Sequence, residues 1–145
     1  TVKRYLNLLE QTFVIFSLIG FSRNLRKEYS KSPRFYFWDL GIRNAILNNF
    51  SPLQTRDDKG QLWENYCIIE RRKMNHYKET PVNSYFWRTY DQQEVDLVEE
   101  KAGNLFGYEF KYGNKTPKAP KAFRTAYPEL KFEVINPSTY YPFIH

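Results

Sequence analysis

Residues 94–111 read EVDLVEEKAGNLFGYEFK: two alternating runs of apolar and polar residues around a Lys-Ala-Gly-Asn tip. So short a tip makes the two runs neighbouring antiparallel strands, and strand periodicity then fixes which residues share a face. Glu109 and Lys111, two apart, point the same way. Phe106, Tyr108, Phe110 and Tyr112 take the opposite face and are expected in the core, as are Val95 and Leu97. A two-residue turn at Ala102-Gly103 places Asp96 opposite Glu109, and a turn at Gly103-Asn104 places it opposite Lys111. Either register gathers the three charged groups on one face, whereas a three-residue turn reverses the parity and disperses them.

Carboxylates opposed across a sheet repel each other, and a neighbouring lysine offsets only part of that repulsion. A divalent cation offsets more, because carboxylate oxygens are the hard ligands that Mg²⁺ prefers. Such an ion acidifies bound water and polarises a phosphoryl oxygen, while a nearby ammonium stabilises developing negative charge. An Asp followed on the next strand by Glu-X-Lys is therefore a coherent phosphodiester-cleaving set. The same pattern also arises on ordinary solvated strand faces.

The rest of the chain supplies one or two small units. The 145 residues carry a net charge of +6, which favours an anionic partner such as nucleic acid. Aromatic residues make up 19% of the chain, enough for a substantial core. One cysteine, Cys67, excludes an intramolecular disulfide and fits a reducing, cytoplasmic setting. No apolar run is long enough to span a membrane, and the Phe13–Phe21 stretch does not suit a signal peptide. The first residue is Thr1, which suggests a piece of a longer protein.

TVKRYLNLLEQ has helical spacing of Val2, Tyr5, Leu6 and Leu9, with Thr1 as a candidate N-cap. Two strands, FVIFSLIGF and RFYFWDL, flank a loop in which Arg23, Arg26, Lys27, Lys31 and Arg34 stand against one acid, Glu28. A helix followed by a basic hairpin resembles the second half of a winged-helix unit, which makes Lys3, Arg4, Arg23, Arg26 and Lys27 candidate nucleic-acid contacts. GIRNAILNN is a short helix, and SPLQTRDDKG is the best linker candidate. The domains expected are 1–50, a partial winged-helix segment with its following helix, and 51–145. The second unit reads as helix (QLWENYCIIERRKMN), three strands (NSYFWRTYD, EVDLVEE, NLFGYEFKYG), a short helix over Pro120–Tyr127, and a last strand (KFEVINP).

Smaller features have plainer readings. Arg88 is expected to pair with Asp91 or Glu94. Arg71, Arg72 and Lys73 suit the negative end of their helix. Lys115, Lys118, Lys121 and Arg124 read as a solvated basic face beside the Glu-X-Lys strand. His76 lacks a second ligand at zinc spacing, His145 is expected to be disordered, and Cys67, Trp38, Trp63 and Trp87 are expected in the core.

Four phrases carry a more specific signal: TVKRYLNLLEQTFVIFSL, KSPRFYFWDLGIRNAI, LWENYCIIE, and YFWRTYDQQEVDLVEE with GYEFKYG. Together they resemble the C-terminal region, DUF4143, of a prokaryotic family of AAA-type ATPases, over nearly the whole chain. The resemblance implies an α/β fold of the restriction-endonuclease-like PD-(D/E)XK type: a mixed sheet with flanking helices, preceded by the partial winged helix. It implies that Glu64, Asp96 and Glu109 hold Mg²⁺ or Mn²⁺ and that Lys111 assists the attacking water. Val95 stands where the motif name has proline. DNA is the implied partner, with a non-enzymatic DNA- or protein-docking module that regulates the ATPase as the competing reading. No G-x-x-x-x-G-K-[ST] stretch occurs in the chain, so ATP would enter only through an N-terminal ATPase module of the same polypeptide.

Overall fold

A computed structural model describes residues 1–23 and 32–145. The elements are α1 (Val2–Gln11), β1 (Ile15–Gly20), β2 (Arg34–Phe37), α2 (Leu40–Ile46), α3 (Lys59–Tyr77), β3 (Asn83–Arg88), β4 (Glu94–Lys101), β5 (Asn104–Phe110), α4 (Lys121–Ala126), β6 (Lys131–Ile135) and α5 (Tyr141–Ile144). The six strands form one mixed sheet in the order β2-β1-β3-β4-β5-β6. The pairs β1–β2, β3–β4 and β4–β5 are antiparallel, and β1–β3 and β5–β6 are parallel.

Both faces of the sheet are covered. Cys67, Ile68 and Ile69 of α3, with Phe143 and Ile144 of α5, pack against Phe16, Leu18, Phe86, Leu97, Tyr108 and Phe110. On the other face Phe123 of α4 and the following Tyr127 close over Trp87, Val95, Val98 and Leu105. With both faces covered, β4 is buried from Val95 to Glu99, the acids Asp96 and Glu99 included.

The hairpin tip is even, as one of the two expected registers requires. Lys101 pairs with Asn104 and Leu97 with Tyr108, so the turn is Ala102-Gly103. Both turn residues have positive φ, 47° and 77°, the backbone of a type I′ turn, whose twist matches that of the flanking strands.

On its other side β4 is irregular. Tyr85 pairs with Val98 but Trp87 pairs with Val95, so Asp96 and Leu97 together oppose Phe86. This bulge resets the alternation. Leu97 joins the core under α3 while Val95 joins the core under α4, which corrects the expectation that the two share a face. Tyr112, also expected in the core, is 42% exposed and packs edge-to-face with Trp63 at 5.9 Å.

The two strands expected on either side of the basic loop form the antiparallel pair β1–β2, and the pair does not stand apart. β1 is hydrogen-bonded in parallel to β3, which makes the hairpin one end of the common sheet. Asn65 of α3 reinforces the join: its Nδ2 donates to Phe37 O at 2.8 Å and its Oδ1 accepts the Phe37 N–H at 3.0 Å. A side-chain amide thus satisfies backbone groups of the edge strand β2 that have no further strand to pair with.

The stretch expected as a linker is pinned. It holds a single 3-10 turn, Leu53–Thr55. The Arg56 side chain donates to Asp58 at 2.7 and 2.8 Å and to Asn49 O at 2.7 Å, and Arg43 adds a further bond to Asp58 at 2.7 Å. These guanidiniums hold the Asp58 carboxyl well below the usual carboxylate range. His145, expected to be disordered, stacks on Tyr141 at 4.1 Å, and its carbonyl accepts from Lys78 Nζ at 2.8 Å.

Candidate functional site

The bulge in β4 positions Asp96. There the ladder with β5 has ended, and the Asp96 side chain takes over its hydrogen bonding: Oδ2 accepts the Phe110 N–H at 3.0 Å. Phe110 lies between Glu109 and Lys111 in sequence, so this bond ties Asp96 to the Glu-X-Lys segment. Glu109 and Lys111 form an ion pair of their own, Nζ–Oε1 2.7 Å. Glu64 comes from the second turn of α3, where its Oε1 accepts from the Tyr36 hydroxyl at 2.6 Å.

These groups share one electrostatic environment. Burial raises the Asp96 pKa, and the Glu64 and Glu109 charges raise it further, to about 8. The Phe110 N–H and Arg34 pull in the opposite direction but do not prevail. Burial also raises Glu64 above the usual carboxylate range, opposed by the Tyr36 bond and Arg34 and supported by Glu94 and Glu109. Partial burial disfavours the Lys111 ammonium, yet Glu109, with Asp96 and Glu64 beyond, holds its proton more tightly than usual. The four sequence-predicted residues Glu64, Asp96, Glu109 and Lys111 therefore lie within range of one another's charge. Among the described residues no three His, Cys, Asp or Glu side chains are drawn together as a cation cluster.

A cation does stand among the carboxylates: Arg34 of β2. Its Nη2 lies 2.6 Å from Glu94 Oε2, and its Nη1 lies 3.8 Å from Glu64 and 3.7 Å from Asp96. The guanidinium sits over the Phe86 ring at 4.8 Å. Arg34, Tyr36, Glu64, Glu94 and Asp96 line a cleft of about 430 Å³ together with Arg43, Gln61 and Asn65. Glu109 and Lys111 are not part of that lining. The sequence marks Arg34 only as a loop cation and Glu94 only as a possible partner of Arg88, and it gives Tyr36 no role. The available signal was the alternation in RFYF, which sends Arg34 and Tyr36 to one face of a strand.

The other predicted contacts are dispersed. Lys3 and Arg4 are exposed on α1. Arg23 is engaged by Glu100 at 2.7 Å. Arg26 and Lys27 lie outside the described residues. Arg88 approaches Glu94 at 3.5 Å, one of its two expected partners.

The basic run on α3 does not act on the helix end as expected. Arg71 binds Glu99 through Nε and Nη2, at 3.0 and 2.7 Å, inside the core. Arg72 lies over Phe16 and Trp38 at 4.6 and 5.2 Å, and Lys73 pairs with Glu70. Cys67 is fully buried, and burial raises its thiol well above the usual range.

Residues 59–141, more than half of the chain and all four residues of the Glu-Asp-Glu-Lys set, match a family described as a domain of unknown function, DUF4143. The chain belongs to the DUF4143 family. A second family, also described as a domain of unknown function (DUF8612), matches residues 1–53. The boundary between the two matches falls in the pinned segment around Arg56, although the sheet runs through both. The DUF4143 chain is also similar to the uncharacterized protein Rv2008c of Mycobacterium tuberculosis and to the uncharacterized protein Mb2031c of Mycobacterium bovis. Each is 28% identical over 133 residues, covering 90% of this chain. The chain spans 29% of the length of these curated relatives. No solved structure matches it. Among the described residues no helix is long and apolar enough to cross a membrane.

Proposed function

We propose that this chain is the nuclease-like C-terminal domain of a longer AAA-type ATPase, that it binds DNA, and that its carboxylates support divalent-metal-dependent phosphodiester hydrolysis. The observation that carries this reading is the electrostatic coupling of buried Asp96 to Glu64 and Glu109, from three different elements, with Lys111 in the same field. The Glu64 and Glu109 charges add to burial in raising the Asp96 pKa to about 8, and the Glu109 charge also opposes ionisation of Glu64. A site that concentrates negative charge against its own stability is a candidate for a positive ligand. The succession of α3, β3, β4, β5, α4 and β6, with acids on the helix and on the second and third strands, agrees with a PD-(D/E)XK-like unit.

The donor chemistry fits Mg²⁺ or Mn²⁺. Glu64, Asp96 and Glu109 offer only carboxylate oxygens, the ligands hard cations take, usually one or two of them with water. When bound, such an ion supplies Lewis acidity toward a phosphoryl oxygen and a more acidic bound water. The protein's own part is positional. The Phe110 N–H fixes one Asp96 oxygen, and the Tyr36 hydroxyl fixes one Glu64 oxygen. Lys111, kept charged by Glu109, offers an ammonium to hold water or to balance charge on a phosphate. Any ATP chemistry belongs to a module outside this chain, since its sequence has no P-loop.

The second reading is a non-enzymatic DNA- or protein-docking module that regulates the ATPase. The position of Arg34 favours it, because a site already neutralised from within needs no metal. Calorimetry with Mn²⁺ on this chain and on Asp96→Ala separates the two. Binding to the wild type that disappears in Asp96→Ala supports the metal site, and no binding to either leaves the docking module. Nicking of plasmid DNA that is lost in Lys111→Ala establishes catalysis, and equal nicking by both proteins removes Lys111 from the reaction.

A further inference from the structure

We infer that Arg34 is the resident counter-ion of the carboxylate site and competes with a divalent cation for Glu64 and Asp96. The inference rests on the metal-binding reading above and specifies how the site is regulated. Its basis is an asymmetry of contacts. Arg34 makes one short ion pair, 2.6 Å to Glu94, while its approaches to Glu64 and Asp96, 3.8 and 3.7 Å, are too long for hydrogen bonds. The guanidinium is anchored at Glu94, at the Tyr36 hydroxyl and over the Phe86 ring, and it meets the two predicted metal ligands only through charge.

That arrangement suits exchange. A guanidinium held by two or three short bonds to each carboxylate would have to break them to admit an ion. Here it can swing away from Glu64 and Asp96 at the loss of its Tyr36 bond alone while keeping Glu94, on the outer side of the cleft. Glu94 is the more accessible partner, its side chain 41% exposed against 10% for Asp96, so the retained contact lies toward solvent. Arg34 lies on β2, the edge strand, so its side chain can move without disturbing a second neighbouring strand. An arginine cannot give up its charge by deprotonation. It must leave the carboxylates if a second cation is to enter, or that cation must bind against its repulsion. Once displaced, the planar guanidinium is free to meet a phosphate.

Calorimetric titration of Mn²⁺ into wild type, Arg34→Gln, Arg34→Lys and Asp96→Ala tests the exchange. Competition predicts that Arg34→Gln binds Mn²⁺ at least about tenfold more tightly than wild type, since a unit charge about 4 Å away no longer opposes the ion. Arg34→Lys, which retains the charge, stays near wild type. Equal or weaker binding by Arg34→Gln overturns the inference. If that binding is still abolished in Asp96→Ala, the metal reading stands alone, and if no protein binds Mn²⁺, both fail. Should Arg34→Gln not fold, the Arg34 Nε–H resonance of the wild type answers the same question during a Mg²⁺ titration. Competition requires it to shift with the same midpoint as the Asp96 carboxyl carbon, and a resonance that stays still while Asp96 saturates overturns the inference.

Discussion

Asp96 in the bulge of β4 accepts the backbone N–H of Phe110 at 3.0 Å, completing the β4–β5 pairing with a side chain where the ladder stops. The same carboxyl is buried beside Glu64 and Glu109 and keeps its proton to about pH 8, against about 3.9 in an unfolded chain. An acid that binds its proton more tightly when folded stabilises the fold below its unfolded pKa and loses that contribution as pH rises through the folded value. Asp96 therefore destabilises the protein progressively between about pH 4 and pH 8. Asp96→Asn keeps an oxygen for the Phe110 N–H and has no charge to ionise. Its stability margin over wild type should grow with pH across that window, by at most about 1.4 kcal/mol per pH unit. Urea unfolding of both proteins at several pH values checks this, and a margin independent of pH contradicts it.

Arg71 and Glu99 form the opposite kind of pair, buried and fully bonded. Arg71 also donates to Phe143 O at 2.7 Å and to the Tyr108 hydroxyl at 3.3 Å, while Asn75 donates to Glu99 at 3.0 Å. Burial disfavours the Arg71 charge, but Glu99 outweighs it and raises the pKa. Removing one partner strands the other without solvent. Glu99→Ala and Arg71→Met should each lower unfolding free energy by about 3–5 kcal/mol. The double variant Arg71→Met/Glu99→Leu should lose clearly less than the sum, because neither charge is then left alone. Thermal or denaturant unfolding of the four proteins measures the coupling, and strict additivity refutes it.

Much of this architecture was legible because it is local. Periodicity within EVDLVEE and NLFGYEF, with a Lys-Ala-Gly-Asn tip between them, specifies two strands joined by a tight turn, while the choice of Ala102-Gly103 over Gly103-Asn104 comes from the structure. What depends on residues far apart was not legible. Glu99 looks like a surface acid in a Glu-rich strand end until Arg71, 28 positions earlier, is placed beneath it. Arg34 reads as one more loop cation until β2 lies beside β1 and faces Glu94, 60 positions away. The segment around Arg56 has the composition of a linker, yet Asp58 and Asn49 O close it on itself. The bulge at Asp96 and Leu97 left no clear mark in the sequence, since EVDLVEE reads as a strand with or without it.

Gly107 is required by packing rather than by backbone freedom. A Cβ at this position would lie 2.9 Å from Phe123 Cε1 and 3.2 Å from Phe132 Cδ2. Phe123, on the inner face of α4, is wholly buried, so its ring has little room to retreat. Gly107→Ala should destabilise the protein by about 1–3 kcal/mol through overpacking. Phe123→Leu in the same background should recover part of that loss by vacating ring volume. A melting temperature for Gly107→Ala equal to wild type would show that α4 yields freely.

The closed segment between α2 and α3 gives a kinetic prediction. Arg56 joins Asn49 O to Asp58 at the start of α3, and Arg43 of α2 grips the same carboxylate. Proteases cut where backbone can open locally into an extended form. With the guanidinium in place, the chain from residue 49 to residue 58 is tied at both ends and should resist cleavage. Arg56→Ala removes two bonds to Asp58 and the bond to Asn49 O, and should make this segment the earliest site of limited proteolysis. Arg43→Ala removes only one of the ties and should have a smaller effect. Mass spectrometry of early digestion products locates the cuts. Early cleavage between residues 49 and 58 in the wild type, at the rate of Arg56→Ala, would mean that these bonds do not restrain the connection and that it behaves as the flexible linker its composition suggests.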